Sequence, residues 1–172
     1  MESSTADLET SALIGPWQHF LYLPHSVFAA HIETYKALNE ISGFPLRCRE
    51  VVILAVGEYF GALYMQYCHT RVAKEAGLSD VQIQSILDGM PPSGGSEEEI
   101  TSWEITRALI RASNTSRKGY LDDGLWEKAE KHFGKIGAGA IIQWISFYAG
   151  IAIILNGAAI PVPKGQKIWP IN

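Results

Sequence analysis

The segment Leu46–Leu78, which reads LRCREVVILAVGEYFGALYMQYCHTRVAKEAGL, decides the fold of this 172-residue chain. Its composition favours helix, but two glycines interrupt its middle. In one straight helix, Glu50 and His69 would lie about 28 Å apart, given the rise of an α-helix per residue. Because glycine permits a sharp turn, we predict that the helix breaks at residues 59–61 and folds back as a hairpin.

The hairpin would place Glu50 beside His69, because both residues are nearly the same distance along the chain from the turn. A carboxylate next to an imidazole is suited to transfer protons near neutral pH. If the two residues act together, both should line one cavity. The alternative from spacing alone is that Glu50 pairs with a neighbouring arginine, Arg47 or Arg49. His69 would then have only a structural role.

Three neighbours on the same two helices complete this candidate site. Tyr64 lies about one turn before His69 and is a candidate phenolic donor. Leu54 and Met65 each lie four residues from one member of the pair, a spacing that places side chains on the same helix face. We therefore predict that these two residues form apolar walls of the site.

The remainder of the chain also has the start and stop signals of helices. Ser79 suits an N-cap, and Ser96 with Glu99 matches a capping box. No segment shows the sustained alternation of apolar and polar residues that is typical of a strand. We predict an all-α, single-domain bundle of about seven helices over residues 15–172, preceded by a flexible tail at residues 1–14.

The composition excludes several functional classes. Apolar residues make up 47% of the chain and the net charge is −4, so no basic field would attract nucleic acid. The N-terminus is polar and acidic, unlike a signal peptide, and the two cysteines do not form a disulfide framework, so we expect a cytoplasmic protein. The histidine spacings lack strong metal-ligand patterns, and no glycine-rich loop follows a strand. We therefore expect neither a metal nor another cofactor.

One charge-free segment, residues 136–160, is long enough to span a bilayer. It contains a glutamine, a serine and an asparagine, and no aromatic belt or basic loop flanks it. A helix buried in the core or between subunits has the same pattern. We therefore predict no membrane span and a homo-oligomer in which this helix contacts other subunits.

Five further residues are candidate substrate contacts. Trp17, His19, Tyr22 and His25 cluster near the start of the ordered part of the chain. Asn156 is a lone polar residue late in the apolar helix, and it is either a buried packing amide or a hydrogen-bond donor to substrate.

Several of these segments resemble one protein family. REVVIL at residues 49–54, followed by Tyr64, His69 and EAGLS at residues 75–79, resembles the signature of the carboxymuconolactone decarboxylase-like family. With similar opening and closing segments, the resemblance covers about residues 14–163. It implies an all-helical subunit that assembles as a trimer or hexamer and acts on a small-molecule substrate.

The alkylhydroperoxidase branch of this superfamily has a CxxC pair between a glutamate and a histidine. When that pattern is placed on this chain, the glutamate and histidine fall on Glu50 and His69. The two cysteines fall on Ala62 and Met65, whereas peroxide reduction by that branch needs both thiols. The resemblance therefore implies the decarboxylase-like branch, although Tyr64 is the only residue left of that branch's Glu-Tyr-Glu-Trp run.

We predict a cofactor-free lyase or isomerase that acts on a small carbonyl compound or carboxylic acid by general acid–base chemistry. Glu50 and His69 would be the acid–base pair, and Tyr64 the orienting donor. Decarboxylation, cyclisation, dehydration and tautomerisation would all use these groups. Two alternatives remain open: a peroxide-reducing antioxidant that uses Cys68, and a non-catalytic oligomeric binding protein of the same fold.

Overall fold

The computed structural model describes residues 15–111 and 121–170. Every element of regular secondary structure in these two ranges is a helix. The elements are α1 (Trp17–Phe20), α2 (His25–Glu40), α3 (Leu46–Tyr59), α4 (Leu63–Glu75), α5 (Asp80–Leu87), α6 (Glu97–Ile110) and α7 (Asp123–Gly157). The predicted all-α class is therefore confirmed for the described ranges. The tail predicted at residues 1–14 lies outside them.

The helical hairpin predicted for the middle of the chain is present. α3 ends at Tyr59, and the chain reverses through Gly61, which has a φ of +60°. α4 then begins at Leu63. The side-chain amide of Gln66 donates a hydrogen bond to the carbonyl of Gly57 at 2.9 Å, which joins the two helices beside the turn.

α3 is the central helix, because it packs against α4, α5, α6 and α7. Every residue from Val51 to Gly57 is buried. The larger apolar cluster lies mainly between α3 and α7. A smaller cluster lies between α3, α4 and α5 and consists of Val51, Leu54, Ala55, Ala73, Leu78, Ile83 and Ile86. A polar side chain near the start of α3, such as Glu50, is thus carried into the interior.

The predicted N-caps are present and also connect helices. Ser79 caps α5 and Ser96 caps α6, each in a capping box. Glu99 is 3% exposed and accepts hydrogen bonds from Arg47 Nε at 2.6 Å and from Gln82 Nε2 at 2.7 Å. The cap of α6 is therefore tied to α3 and α5, which holds the start of α3 in place.

α7 has two parts, because the backbone kinks at Gly134, where φ is +65° and ψ is 174°. Within the described ranges, this helix alone is long and apolar enough to cross a membrane, but half of its most apolar window is buried inside the chain. Trp144 and Tyr148 face the core, whereas Ile136 and Ile153 are 68% and 60% exposed. α7 is thus in large part a core helix with an apolar outer face.

Gly137 lets α7 lie directly against the turn between α2 and α3. A Cβ at this position would lie 2.6 Å from the carbonyl oxygen of Gly43 and 2.6 Å from the Cβ of Phe133. Gly139, on the same helix, would place its Cβ in open space, with no heavy atom within 4 Å. A methyl group at Gly137 would therefore clash, whereas one at Gly139 would fit, so the two positions allow a matched comparison.

We expect Gly137→Ala to lower the free energy of unfolding by about 1–3 kcal/mol, because the methyl group must displace packed backbone. The control Gly139→Ala should raise it by about 0.4–1 kcal/mol, since alanine restricts the unfolded chain. Urea denaturation measures both changes. Equal effects of the two substitutions would contradict the close packing described for Gly137.

Candidate acid–base site

Glu50 on α3 and His69 on α4 face each other across the hairpin. The Oε2 atom of Glu50 lies 2.9 Å from the Nδ1 atom of His69. The Glu50 side chain is 3% exposed and that of His69 is 18% exposed. An ionised carboxylate only accepts hydrogen bonds, so in a contact with ionised Glu50 the donor is Nδ1 of His69, and in the neutral ring the lone pair then lies on Nε2. Of the two side chains, His69 is therefore the more accessible to a ligand.

The arginines beside Glu50 in the sequence do not compete for it. Arg49 Nε donates to the carbonyl of Phe44 at 2.9 Å, and its guanidinium lies over the Trp144 ring. Arg47 is bound to Glu99, as described above. The alternative that Glu50 forms a surface ion pair with one of them is therefore wrong, because both guanidinium groups have other partners.

Tyr148 of α7 completes the surroundings of His69, and the sequence analysis missed it. Its ring meets the imidazole edge-on, with centroids 5.2 Å apart and planes at 89°. Its other face stacks on Trp144 at 5.7 Å. Burial raises the pKa of Tyr148 well above its usual value, and the charge of Glu50 raises it further. The phenol is thus held in its neutral form. No spacing in the sequence links Tyr148 to the hairpin, since only tertiary packing brings α7 there.

Tyr64 is buried in the larger apolar cluster, and it also contacts its own helix and the N-terminal segment. Burial raises the pKa of Tyr64, and hydrogen bonding to the Cys68 thiol raises it further. A Cβ at Gly15 would lie 2.7 Å from the Tyr64 ring, so the chain before α1 passes directly over this tyrosine. These contacts are with groups other than Glu50 and His69. The orienting role of Tyr64 stays a prediction.

The two predicted apolar walls, Leu54 and Met65, are buried in different places. Leu54 belongs to the smaller cluster between α3, α4 and α5. Met65 belongs to the larger cluster, and its sulfur packs close to Gly57 near the hairpin turn. The two side chains therefore do not form one shared wall, because their helices present them to different parts of the core.

Asn156 requires a correction. It is exposed, not buried, and its amide Nδ2 donates to the carbonyl of Phe60 at 2.7 Å. Phe60 is the C-cap residue of α3, so the amide satisfies a helix-terminal carbonyl at the hairpin turn. This donor is already engaged by the backbone, which accounts for a lone asparagine late in an apolar helix.

The N-terminal candidates are distributed over α1, α2 and the turn between them. Trp17 and His25 line a cavity of about 330 Å³ together with Phe20, Leu21, Leu23 and Phe28. His19 lies beside Phe20, with ring centroids 5.7 Å apart, and Tyr22 is 88% exposed. The structure therefore brings two of the four candidates, Trp17 and His25, into one cavity.

A second cavity, of about 570 Å³, lies near the start of α3. Its lining includes Arg47, Cys48, Gln82, Glu98, Glu99 and His132. Neither this cavity nor the N-terminal one is lined by Glu50 or His69. The expectation that Glu50 and His69 line a cavity is thus not met by either of these two cavities. A ligand would reach His69 at the surface of the chain, where part of the ring is exposed.

In residues 15–111 and 121–170, no group of three or more histidine, cysteine, aspartate or glutamate side chains is arranged to hold a metal ion. Cys48 is buried and Cys68 is partly buried, and both are free thiols.

Comparison with known proteins assigns the hairpin to a family. Residues 26–108 match the model of the Carboxymuconolactone decarboxylase family, a range that starts in α2 and ends in α6. No curated protein and no solved structure matches the chain. The segment that matches this family contains both Glu50 and His69.

Proposed function

We propose that the protein is a cofactor-free lyase or isomerase in which Glu50 and His69 transfer a proton to or from a small carbonyl or carboxylic acid substrate. One observation supports this proposal above the others. A nearly fully buried carboxylate lies 2.9 Å from a partly exposed imidazole, on two helices of the segment that matches the family. Paired groups of this kind, one shielded and one accessible, are typical of general acid–base sites.

In this proposal the two groups have different tasks. Nε2 of His69 takes a proton from a carbon next to a carbonyl, and Glu50 stabilises the imidazolium that results. In a decarboxylation, His69 would first take a proton from water, and the imidazolium would give this proton to the enolate carbon after carbon dioxide leaves. The neutral phenol of Tyr148 is a hydrogen-bond donor near the same ring, where it would stabilise negative charge on the enolate oxygen.

The proposal is tested by proton exchange in heavy water, followed by proton NMR over a panel of β-keto acids and dicarbonyl compounds. We expect Glu50→Gln and His69→Asn each to lower the rate by about 100- to 10,000-fold. The double variant should be little slower than either single variant, because groups that act in one step are strongly non-additive.

Glu58→Gln is the matched control for this experiment. Glu58 also lies on α3, but it pairs with Arg107, so its substitution should leave the rate unchanged. If the losses at Glu50 and His69 multiply, the two residues do not act as a unit. If no panel member exchanges faster than without protein, the non-catalytic binding protein becomes the better interpretation.

The thiols do not favour the antioxidant alternative. Burial raises the pKa of Cys68 above its usual value, and it raises the pKa of Cys48 to about 12. Both thiols are therefore protonated near neutral pH, whereas attack on a peroxide requires the thiolate. The positions of the CxxC pair in the peroxidase branch are occupied by Ala62 and Met65.

We further propose that the subunit forms a cytoplasmic homo-oligomer, a trimer or a hexamer. The outer face of α7 exposes Ile136 and Ile153, and a core helix with exposed apolar side chains is suited to pack against another subunit. This arrangement would also explain the apolar composition of α7 without a membrane.

Sedimentation velocity at micromolar concentration should therefore show a species larger than one chain. Ile153→Glu should shift it towards the monomer, because the charge would be buried in the interface. Glu33→Lys, on an exposed position of α2, is the control for altered surface charge and should leave the oligomer intact. A stable monomer of the unmodified protein would contradict the proposal.

A further inference from the structure

The outer face of α7 carries a regular row of uncharged residues. Beyond the kink, the residues on this face are spaced alternately three and four positions apart, which places them along one side of a helix. We call this row the outer stripe, and its members, all exposed or half-buried, are Ile136, Gly139, Gln143, Ser146, Gly150 and Ile153. The opposite side of the same segment, which includes Trp144 and Tyr148, is buried in the core.

The order of residues in the outer stripe is symmetric about its centre, which lies between Trp144 and Ile145. Read from either end, the stripe runs isoleucine, glycine and then a neutral polar residue. If a second α7 lay antiparallel across this centre, isoleucine would face isoleucine and glycine would face glycine. Each pair would form twice, because a two-fold contact places the same surface of both subunits together.

We propose that the outer stripe binds the outer stripe of a second copy of the chain in an antiparallel, two-fold contact. The inference rests on the homo-oligomer proposed above, and it adds the face, the direction and the register of the contact. A two-fold contact joins subunits in pairs. It therefore fits a hexamer that consists of three pairs and does not fit a cyclic trimer.

The side chains complement each other in this register. At each end, Ile136 and Ile153 of the partner subunit, which are both more than half exposed in the single chain, would remove apolar surface from water. A Cβ at Gly139 or Gly150 would have no heavy atom within 4 Å, so the face beside these glycines is open to a second helix.

The polar residues at the centre of the outer stripe can pair in the same contact. The hydroxyl of Ser146 donates to the carbonyl of Gln143 in its own helix at 3.0 Å. The hydroxyl oxygen can still accept, so it suits the side-chain amide of Gln143 of the partner subunit. Neither polar group would then be left without a partner in the contact.

Sequence and charge favour a second copy, arranged antiparallel, as the occupant of this face. A parallel pair places every residue against itself and needs no symmetric order, so the symmetry indicates the antiparallel direction. The chain has a net charge of −4, yet no charged residue lies between Ile136 and Ile153, so two copies meet here without repulsion in the contact. Lipid fits less well, because acyl chains leave the amide and hydroxyl groups of the stripe without partners.

Cross-linking between introduced cysteines tests the register. Ile136→Cys and Ile153→Cys are co-expressed, and the purified protein is oxidised and separated by non-reducing electrophoresis. We expect a covalent dimer from the two variants together and none above background from either variant alone. In the antiparallel contact, the two copies of position 136 lie about 26 Å apart along the helices, whereas a disulfide needs Cα atoms within about 7 Å of each other.

A second pair of variants covers the case in which loss of an isoleucine weakens the contact. Gln143→Cys co-expressed with Ser146→Cys keeps both isoleucines and should also give the covalent dimer. Glu33→Cys co-expressed with Ile153→Cys is the control, because Glu33 is exposed on α2, away from the outer stripe. The unmodified protein gives the background from Cys48 and Cys68.

The outcomes separate this inference from the proposals on which it rests. A dimer from Ile136→Cys alone would indicate a parallel contact, and no dimer from either mixed pair would exclude the stripe as an interface. Both results overturn the pairing, while a larger species in sedimentation would leave the homo-oligomer in place. A monomer that binds phosphatidylcholine vesicles would assign the face to lipid and contradict both. A mixed dimer without any proton exchange would support the pairing and contradict the acid–base proposal.

Discussion

A carboxylate that is 3% exposed needs a hydrogen-bond donor beside it, because a buried charge without a partner is strongly destabilising. Among the side chains of residues 15–111 and 121–170, His69 is the hydrogen-bond partner of Glu50. The hairpin must therefore close with the two residues at the same height. The glycine turn, the Gln66 amide and the Asn156 amide all hold that register. The arrangement of the central helices and the candidate site thus depend on one contact.

The other helices support this contact from outside. The Arg47–Glu99–Gln82 network fastens the start of α3 to α5 and α6, one turn from Glu50. α7 closes the other side, where Gly137 allows its close approach to the turn before α3. This approach is also what allows Tyr148 and Phe147 to reach the imidazoles of His69 and His31. A helix that looks like a membrane span by composition therefore acts as a wall of the candidate site.

Local signals in the sequence predict where the helices begin and end. Tertiary packing decides which side chains of different helices meet. The break near Gly61, the caps at Ser79 and Ser96 and the approach of Glu50 to His69 follow from spacing and backbone preference. The roles of Tyr148 and Asn156 do not follow in this way. α7 lies far along the chain from α3, and its apolar composition does not indicate which of its residues face α3. Leu54 and Met65 share spacing with the pair, yet they are buried in separate clusters, because α3 and α4 present them to different neighbours.

We propose that Glu50 holds His69 in the tautomer with its proton on Nδ1, so that Nε2 is free to act as a base. The ¹⁵N chemical shifts of the His69 ring measure this directly in the resting protein. We expect a protonated Nδ1 and an unprotonated Nε2 near neutral pH, with a mixture of tautomers in Glu50→Gln, whose amide can also donate to the ring. A proton on Nε2 of His69 in the unmodified protein, or shifts that do not respond to Glu50→Gln, would contradict it.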